Sequence, residues 1–355
     1  MKRTILSAAA LAVAATLTAC QDTTSPSAEA SAPAETAAPP ETLAPTDAPS
    51  TGADASDLTL ANTTAKQLWA VVRADGTLSH GSRVTSTTRL GPGQYEVTFN
   101  TNVAGCSFVA TTVNAYSQAL GIFTAGGHLS SNGVYVETKN QGGGLTDGPF
   151  HLLVACGPLG TRFAVVGYSA NLVRATPGTS LTWLGSGRYR VTFSSSVSGC
   201  AFLATVGDPG KALVFSPSGV YTGSGPNANT VYIETKNPGG GLQDGVPFHL
   251  ALVCGGTTNA RYAVVKSGGA IKRASTGTSS SRPSTGTYAI KNNINTSACA
   301  VIATRGSVDT AVPFSPATVE ILPGQSGSSF ALQVRQLLFF GGAVANQAIH
   351  AAAIC

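Results

Sequence analysis

Three histidines stand five residues before a cysteine: His151 before Cys156, His249 before Cys254 and His350 before Cys355. Two acids recur upstream of them. Glu137 lies in Val-Tyr-Val-Glu-Thr-Lys-Asn (134–140) and Glu234 in Val-Tyr-Ile-Glu-Thr-Lys-Asn (231–237), with Gln333 at the matching place before His350. If 133–140 and 149–156 form an antiparallel hairpin with 140 opposite 148, Glu137 faces His151. The same register sets Glu234 against His249 and Gln333 against His350. A carboxylate that orients an imidazole is the nucleus of general acid–base chemistry, so a hydrolase using Glu–His pairs is one reading. The other is a cross-strand contact worth about 0.2–1 kcal/mol, on a sheet surface or between domains. The contact is the preferred reading, because common descent alone keeps a position through several copies.

Other chemistry is scarce. The segments Gly142–Asp147 and Gly239–Asp244 each carry a single Asp. A calcium site needs six to eight oxygens, so these read as flexible hairpin tips. Trp69 and Trp183 are the only tryptophans. Trp183 and Tyr189 together would make a sugar-stacking platform, yet both flank a turn on a strand pair and are expected to pack in the core. There is no G-x-S-x-G elbow, no Gly-Lys-Ser/Thr phosphate loop and no H-E-x-x-H. No cofactor and no metal is expected.

Six cysteines remain when Cys20 is set aside, and six allow 15 pairings. Two occupy matching places in each of three similar stretches. That symmetry selects Cys106–Cys156, Cys200–Cys254 and Cys299–Cys355, with separations of 50, 54 and 56 residues. Pairing between neighbouring copies is the alternative; spacings without a C-x-x-C argue against zinc.

The stretches are copies of one unit. Gln94-Tyr95-Glu96-Val97-Thr98-Phe99 matches Arg188-Tyr189-Arg190-Val191-Thr192-Phe193, and Pro149-Phe150-His151 matches Pro247-Phe248-His249. Gly286-Thr287-Tyr288-Ala289-Ile290 and Phe314-Ser315-Pro316 mark a diverged third copy. Repeats of about 99 residues then cover 59–159, 160–257 and 258–355. Tyr95, Val97 and Phe99 alternate with Gln94, Glu96 and Thr98, the period of a half-buried strand. In the first copy strands are expected near 69–73, 83–90, 94–100, 106–113, 119–125, 133–140 and 149–156. Turn pairs such as Asp75-Gly76 and Asn132-Gly133 separate them. On the last strand Phe150, Leu152, Val154 and Cys156 should face the core and His151, Leu153 and Ala155 should face away. The fold class is all-β: three tandem antiparallel β-sandwiches, Ig-like or jelly-roll-like, after a disordered tether.

The chain has 355 residues, only 10% of them charged, with 41 Gly and 43% hydrophobic residues. That supports real cores and excludes a wholly disordered chain. Lys2 and Arg3 precede an apolar stretch over 5–17 that is too short to span a bilayer and has the plan of an export leader. Residues 21–58 hold 27 Ala, Pro, Ser or Thr, seven acids and no Lys or Arg, the composition of an extended, solvated linker. The body, 59–355, carries +10, dispersed along the chain without a dense basic run, so no nucleic-acid partner is expected.

Leu17-Thr18-Ala19-Cys20 closes the leader and resembles the lipobox of bacterial lipoproteins. That resemblance covers residues 1–20. It implies cleavage before Cys20, lipid attachment to its sulfur and a stable hold on a membrane. Gln21 rather than Asp at the next position resembles an outer-membrane sorting signal in Gram-negative families. The body resembles unassigned extracellular bacterial β-repeat domains, which transfer no activity. Together these features imply a lipid-anchored protein of the bacterial cell envelope, with its domains periplasmic or surface-exposed. The function they imply is adhesion, binding or envelope structure without catalysis, with surface polysaccharide or protein as partner. A carbohydrate-binding lipoprotein is the alternative, with Glu137, His151, Glu234, His249 and Trp183 as candidate ligand contacts.

Overall fold

A computed structural model describes residues 67–355 apart from 115–118, 158–160, 211–217, 258, 310–316 and 337–342. The leader, Cys20 and the 21–58 linker lie outside the described residues. Every described residue belongs to one compact unit, and its regular structure is all strand.

Eight strands form in the first repeat: β1 (Leu68–Val72), β2 (Leu78–Ser82), β3 (Val84–Gly91), β4 (Gln94–Phe99), β5 (Ser107–Thr112), β6 (Gly121–Gly126), β7 (Gly133–Lys139) and β8 (Phe150–Ala155). The second has β9 (Arg162–Val166), β10 (Leu172–Ala175), β11 (Ser180–Gly185), β12 (Arg188–Thr192), β13 (Cys200–Asp208), β14 (Gly219–Ser224), β15 (Thr230–Lys236) and β16 (Phe248–Cys254). The third has β17 (Ala260–Val265), β18 (Ile271–Ala274), β19 (Ser279–Ser284), β20 (Thr287–Lys291), β21 (Ala300–Arg305), β22 (Ala317–Ser326), β23 (Ser329–Gln336) and β24 (Ile349–Ile354). Strand β2 is unexpected from sequence. Leu-Ser-His-Gly-Ser has no period of two, and the strand is mostly exposed.

Each repeat makes two antiparallel sheets with the same order. In the first they are β2-β1-β8-β5 and β3-β4-β7-β6, which enclose Tyr95, Val97, Phe99, Phe108, Val136, Phe150 and Leu152. Tyr95, Val97 and Phe99 are at most 1% exposed, so the alternation in this segment marks the core face. Burying such side chains contributes about 1.5–3 kcal/mol each. All three expected disulfides form, each joining the start of the fifth strand of a repeat to the end of its eighth. Cys200 and Cys254 are direct ladder partners.

The hairpin between the last two strands does not form. Strand β7 pairs with β4 and β6, whereas β8 pairs with β1 and β5 in the other sheet. The segment between them crosses from one sheet to the other, so Glu137 does not stand opposite His151. The same holds for β15 and β16, and for β23 and β24.

The face of β8 expected to point away from its core is buried as well. Leu153 and Ala155 join Trp69, Val109, Leu203, Ala251, Val253, Tyr262, Ile302, Ala352 and Ile354 in a cluster drawn from all three repeats. Phe-His-Leu-Leu-Val-Ala, Phe-His-Leu-Ala-Leu-Val-Cys and Ile-His-Ala-Ala-Ala-Ile are nearly continuous apolar runs, the pattern of strands covered on both faces. The repeats thus pack their disulfide-bearing sheets against one another. Parallel contacts also join the disulfide-bearing sheet of one repeat to the outer sheet of another: Gly207 with Thr124, Val113 with Ile321 and Gly306 with Thr222. The joins run second to first, first to third and third to second, which closes a ring.

Candidate functional site

Each of the three histidines bonds across one seam of this junction. His249 Nδ1 accepts the Phe108 N–H at 2.9 Å, His350 Nδ1 that of Phe202 at 2.9 Å, and His151 Nδ1 that of Val301 at 2.8 Å. An accepting Nδ1 assigns the proton to Nε2, which points at the Asp208 carbonyl in His249 (3.1 Å) and the Ser307 carbonyl in His350 (3.0 Å). Each ring is at most 4% exposed. Burial pulls all three down to about 3, helped by the charge of His80, Arg174 or Arg273 beside them.

Threonines repeat the arrangement on the adjacent strand, each the ladder partner of one of the histidines. Thr205 Oγ1 accepts from Ala110 N at 2.8 Å and donates to Ala110 O at 3.2 Å. Thr304 does the same to Ala204, and Thr111 to Ala303. Every one of these bonds crosses between repeats, in the same circular order as the strand bridges. Backbone groups that no sheet partner reaches are thereby satisfied, as buried amides require. These side chains act as clasps: the imidazoles are neutral and both nitrogens of His249 and His350 are occupied by backbone.

Glu137 and Glu234 lie elsewhere. Glu137 pairs with Lys139 at 2.9 Å and accepts the Tyr135 hydroxyl at 3.0 Å; Glu234 pairs with Lys236 at 3.0 Å and accepts the Tyr232 hydroxyl at 3.0 Å. Lys139 sits over the Phe123 ring and Lys236 over that of Tyr221. The third repeat moves the acid to the neighbouring strand: Glu320 of β22 pairs with Arg335 of β23 at 3.3 Å, while Gln333 accepts from Asn114. Each acid is therefore matched to a cation on the outer sheet. No Glu–His pair exists among these residues.

The Gly-rich segments are tied down, in contrast to flexible tips. Asp147 takes two bonds from Arg89 (2.9 and 2.7 Å), one from the Gly93 N–H (2.7 Å) and one from the Tyr95 hydroxyl (3.2 Å). The Arg89 bonds hold its carboxyl below the usual range. Asp244 accepts from Gly187 N at 2.6 Å and from Trp183 Nε1 at 3.1 Å, and Asn346 from Gly286 N at 2.8 Å. The three glycines have φ of +65° to +66°. A side chain on Gly93 would also collide with the Thr138 carbonyl. Trp183 thus occupies the place of Arg89. It is 56% exposed, so the expectation of core packing fails for it, while Tyr189 is buried at 1%. An edge strand ends there, with no layer beyond to cover the indole.

Two recesses lie on the seams. One, of about 90 Å³, is lined by equivalent residues of all three repeats, among them Thr111, Thr205 and Thr304. The other, of about 480 Å³, lies where the second repeat meets the third, beside Arg273, Lys272 and Asp309. Sequence reasoning passed over Arg273, since nothing local marks it. Its alignment with Arg174 was the available signal. Among the described residues no group of three or more His, Cys, Asp or Glu could hold a metal ion. No family model, curated protein or solved structure matches this chain.

Proposed function

We propose that this chain is an exported, lipid-anchored envelope protein that works by binding, without catalysis, and presents its three repeats as one rigid body. The observation that carries the reading is the set of three equivalent disulfides, which belong to an oxidising, non-cytoplasmic compartment. The leader ending in Leu17-Thr18-Ala19-Cys20 supports attachment through lipid at Cys20. Among the described residues no helix is long and apolar enough to cross a membrane, so the anchor in this reading is the lipid. The non-catalytic part rests on chemistry: the candidate histidines are clasped neutral between backbone groups, and the candidate acids are neutralised by lysines. Bacterial expression followed by fractionation tests it. The natural chain should sediment with membranes and Cys20→Ala should move to the soluble exported fraction, with no free thiols in the body of either. A cytosolic product with six free thiols, or a Cys20→Ala chain still bound to membranes, overturns the reading.

A further inference from the structure

The rim of the second repeat carries a surface that its two sisters lack. In every repeat the turn after the first strand is closed by the same two backbone bonds, at Arg73, Gly167 and Lys266. The residue that follows is Ala74, Tyr168 or Ser267. Arg89 of β3 and Arg282 of β19 pack on their turns, since a Cβ on Gly76 or Gly269 would lie 2.6 Å from theirs. Trp183 of β11 holds the place of Arg89, opposite Tyr189 as Arg89 is opposite Tyr95. Ala with Arg and Ser with Arg thus become Tyr with Trp. Two sandwiches of the same strand order close without these rings, so the fold does not call for them.

Both rings are exposed yet fixed. Tyr168 is 46% and Trp183 56% exposed. The Tyr168 hydroxyl donates to Asp208 Oδ2 at 2.8 Å, and Trp183 Nε1 donates to Asp244 Oδ1 at 3.1 Å. They flank one loop: a Cβ on Gly245, next to Asp244, would lie 3.8 Å from the Tyr168 carbonyl. Rings already held in place lose little freedom when a ligand arrives.

The carboxylate between them also differs from its sister. Both oxygens of Asp147 are taken, Oδ2 by Arg89 Nη2 at 2.7 Å. In the second repeat the Trp183 and Gly187 bonds both fall on Oδ1. Asp244 is exposed, and its Oδ2 takes no bond from any described residue. The hold on a glycine N–H is the role that the two acids share; the exposed rings and the open oxygen are particular to this rim.

That combination narrows the ligand. Aromatic faces take up the C–H face of a sugar ring, and a neighbouring carboxylate oxygen accepts its hydroxyls. A carboxylate without a cation repels an anionic glycan, while the +10 of the body works against a polycation. A surface without enclosing walls suits a chain lying across it more than a small molecule, which needs a cleft.

We propose that Trp183 and Tyr168 form a stacking platform for a neutral polysaccharide, with Asp244 Oδ2 accepting its hydroxyls. The proposal rests on the reading of the chain as a binding protein and names its ligand class. Fractionation tests export and the lipid anchor; glycan binding tests this surface, so the two fail separately. The purified full-length chain is applied to immobilised hexasaccharides of glucose (α-1,4 and β-1,4), mannose, galactose and N-acetylglucosamine, with hexagalacturonate and polylysine beside them. One or more of the neutral probes should be bound at least tenfold more tightly than either charged one. Trp183→Arg installs the first repeat's own pair and should weaken that binding at least tenfold in a folded protein. Tyr168→Ala, which restores the residue of the first repeat, should weaken it at least threefold and guards against a misfolded Trp183 variant. Leu90→Ala, at an exposed side chain on the matching rim of the first repeat, should leave it unchanged. The proposal is overturned if no neutral probe binds, if hexagalacturonate or polylysine binds as well, if either folded ring variant binds undiminished, or if Leu90→Ala loses as much.

Discussion

The two faces of the closing strands β8, β16 and β24 pack against different things, and their chemistry differs accordingly. Toward its own sandwich β8 presents Phe150, Leu152 and Val154, wholly apolar. Toward the other repeats it presents Leu153 and Ala155 together with His151. An apolar core inside one sandwich is registered by its own ladders, which fix every strand against its neighbours. Between repeats the strands share only short parallel contacts, so no long ladder registers the three sheets that meet back to back. There the apolar contact is non-directional, and the imidazole and threonine bonds supply the direction. Where secondary structure sets register, hydrophobic side chains suffice; where it does not, buried histidine and threonine side chains bond backbone groups across the seams.

Acid unfolding tests this contrast most strongly. The native histidines titrate at about 3 while unfolded ones titrate near the ordinary 6.5. The unfolded state therefore binds more protons in between, and stability falls as pH drops from about 6.5 toward 3. Glu96 and Glu320, raised to about 7 by burial, act the other way between 4.5 and 7. Below pH 4.5 that opposition ends, the three histidines contribute about 4 kcal/mol per pH unit to the loss, and the depressed carboxyl of Asp147 adds to it in the same direction. Urea midpoints measured from pH 7 to 3 should show this limb, and His249→Ala should lose about one third of the histidine share of its slope while costing about 2–4 kcal/mol at pH 7. A flat acid limb would break the picture of neutral clasps.

Adjacent leucines sharpen the comparison next. Leu152→Ala and Leu153→Ala, both fully buried in the native chain, should each cost about 2–5 kcal/mol in denaturant unfolding, with a single transition. An unmoved midpoint for Leu153→Ala beside a lowered one for Leu152→Ala would mean that the junction is no part of the folding unit. The smallest effect belongs at the rim. Asp147→Ala removes a partly exposed latch and should cost about 1 kcal/mol, read as a small shift in thermal midpoint. A cost as large as that of the leucines would contradict the ranking.

Much of this was legible beforehand. Alternation in Gln94–Phe99 gave both a strand and its inward face, and two cysteines per copy gave the disulfide pairs through symmetry. Parity along Phe150–Cys156 sorted the two faces correctly. It could not reveal that the second face meets other repeats, although the lack of polar residues there was a readable sign. Pairing was the weak point. Strands β7 and β8 are neighbours in sequence, and adjacency suggested a hairpin that the crossover denies. Trp183 was misplaced because a strand's period assigns a face without saying where a sheet ends.

The amino-acid order by itself determined the threefold repetition, the strand character and the cystine framework, because these depend on spacing along the chain. Only tertiary structure decided that His151, His249 and His350 are clasps rather than partners of Glu137 and Glu234, and that Arg273 borders an open groove. Those outcomes depend on which sheet faces which, a matter of contacts between residues from 73 to 192 positions apart. Local periodicity carries no record of them.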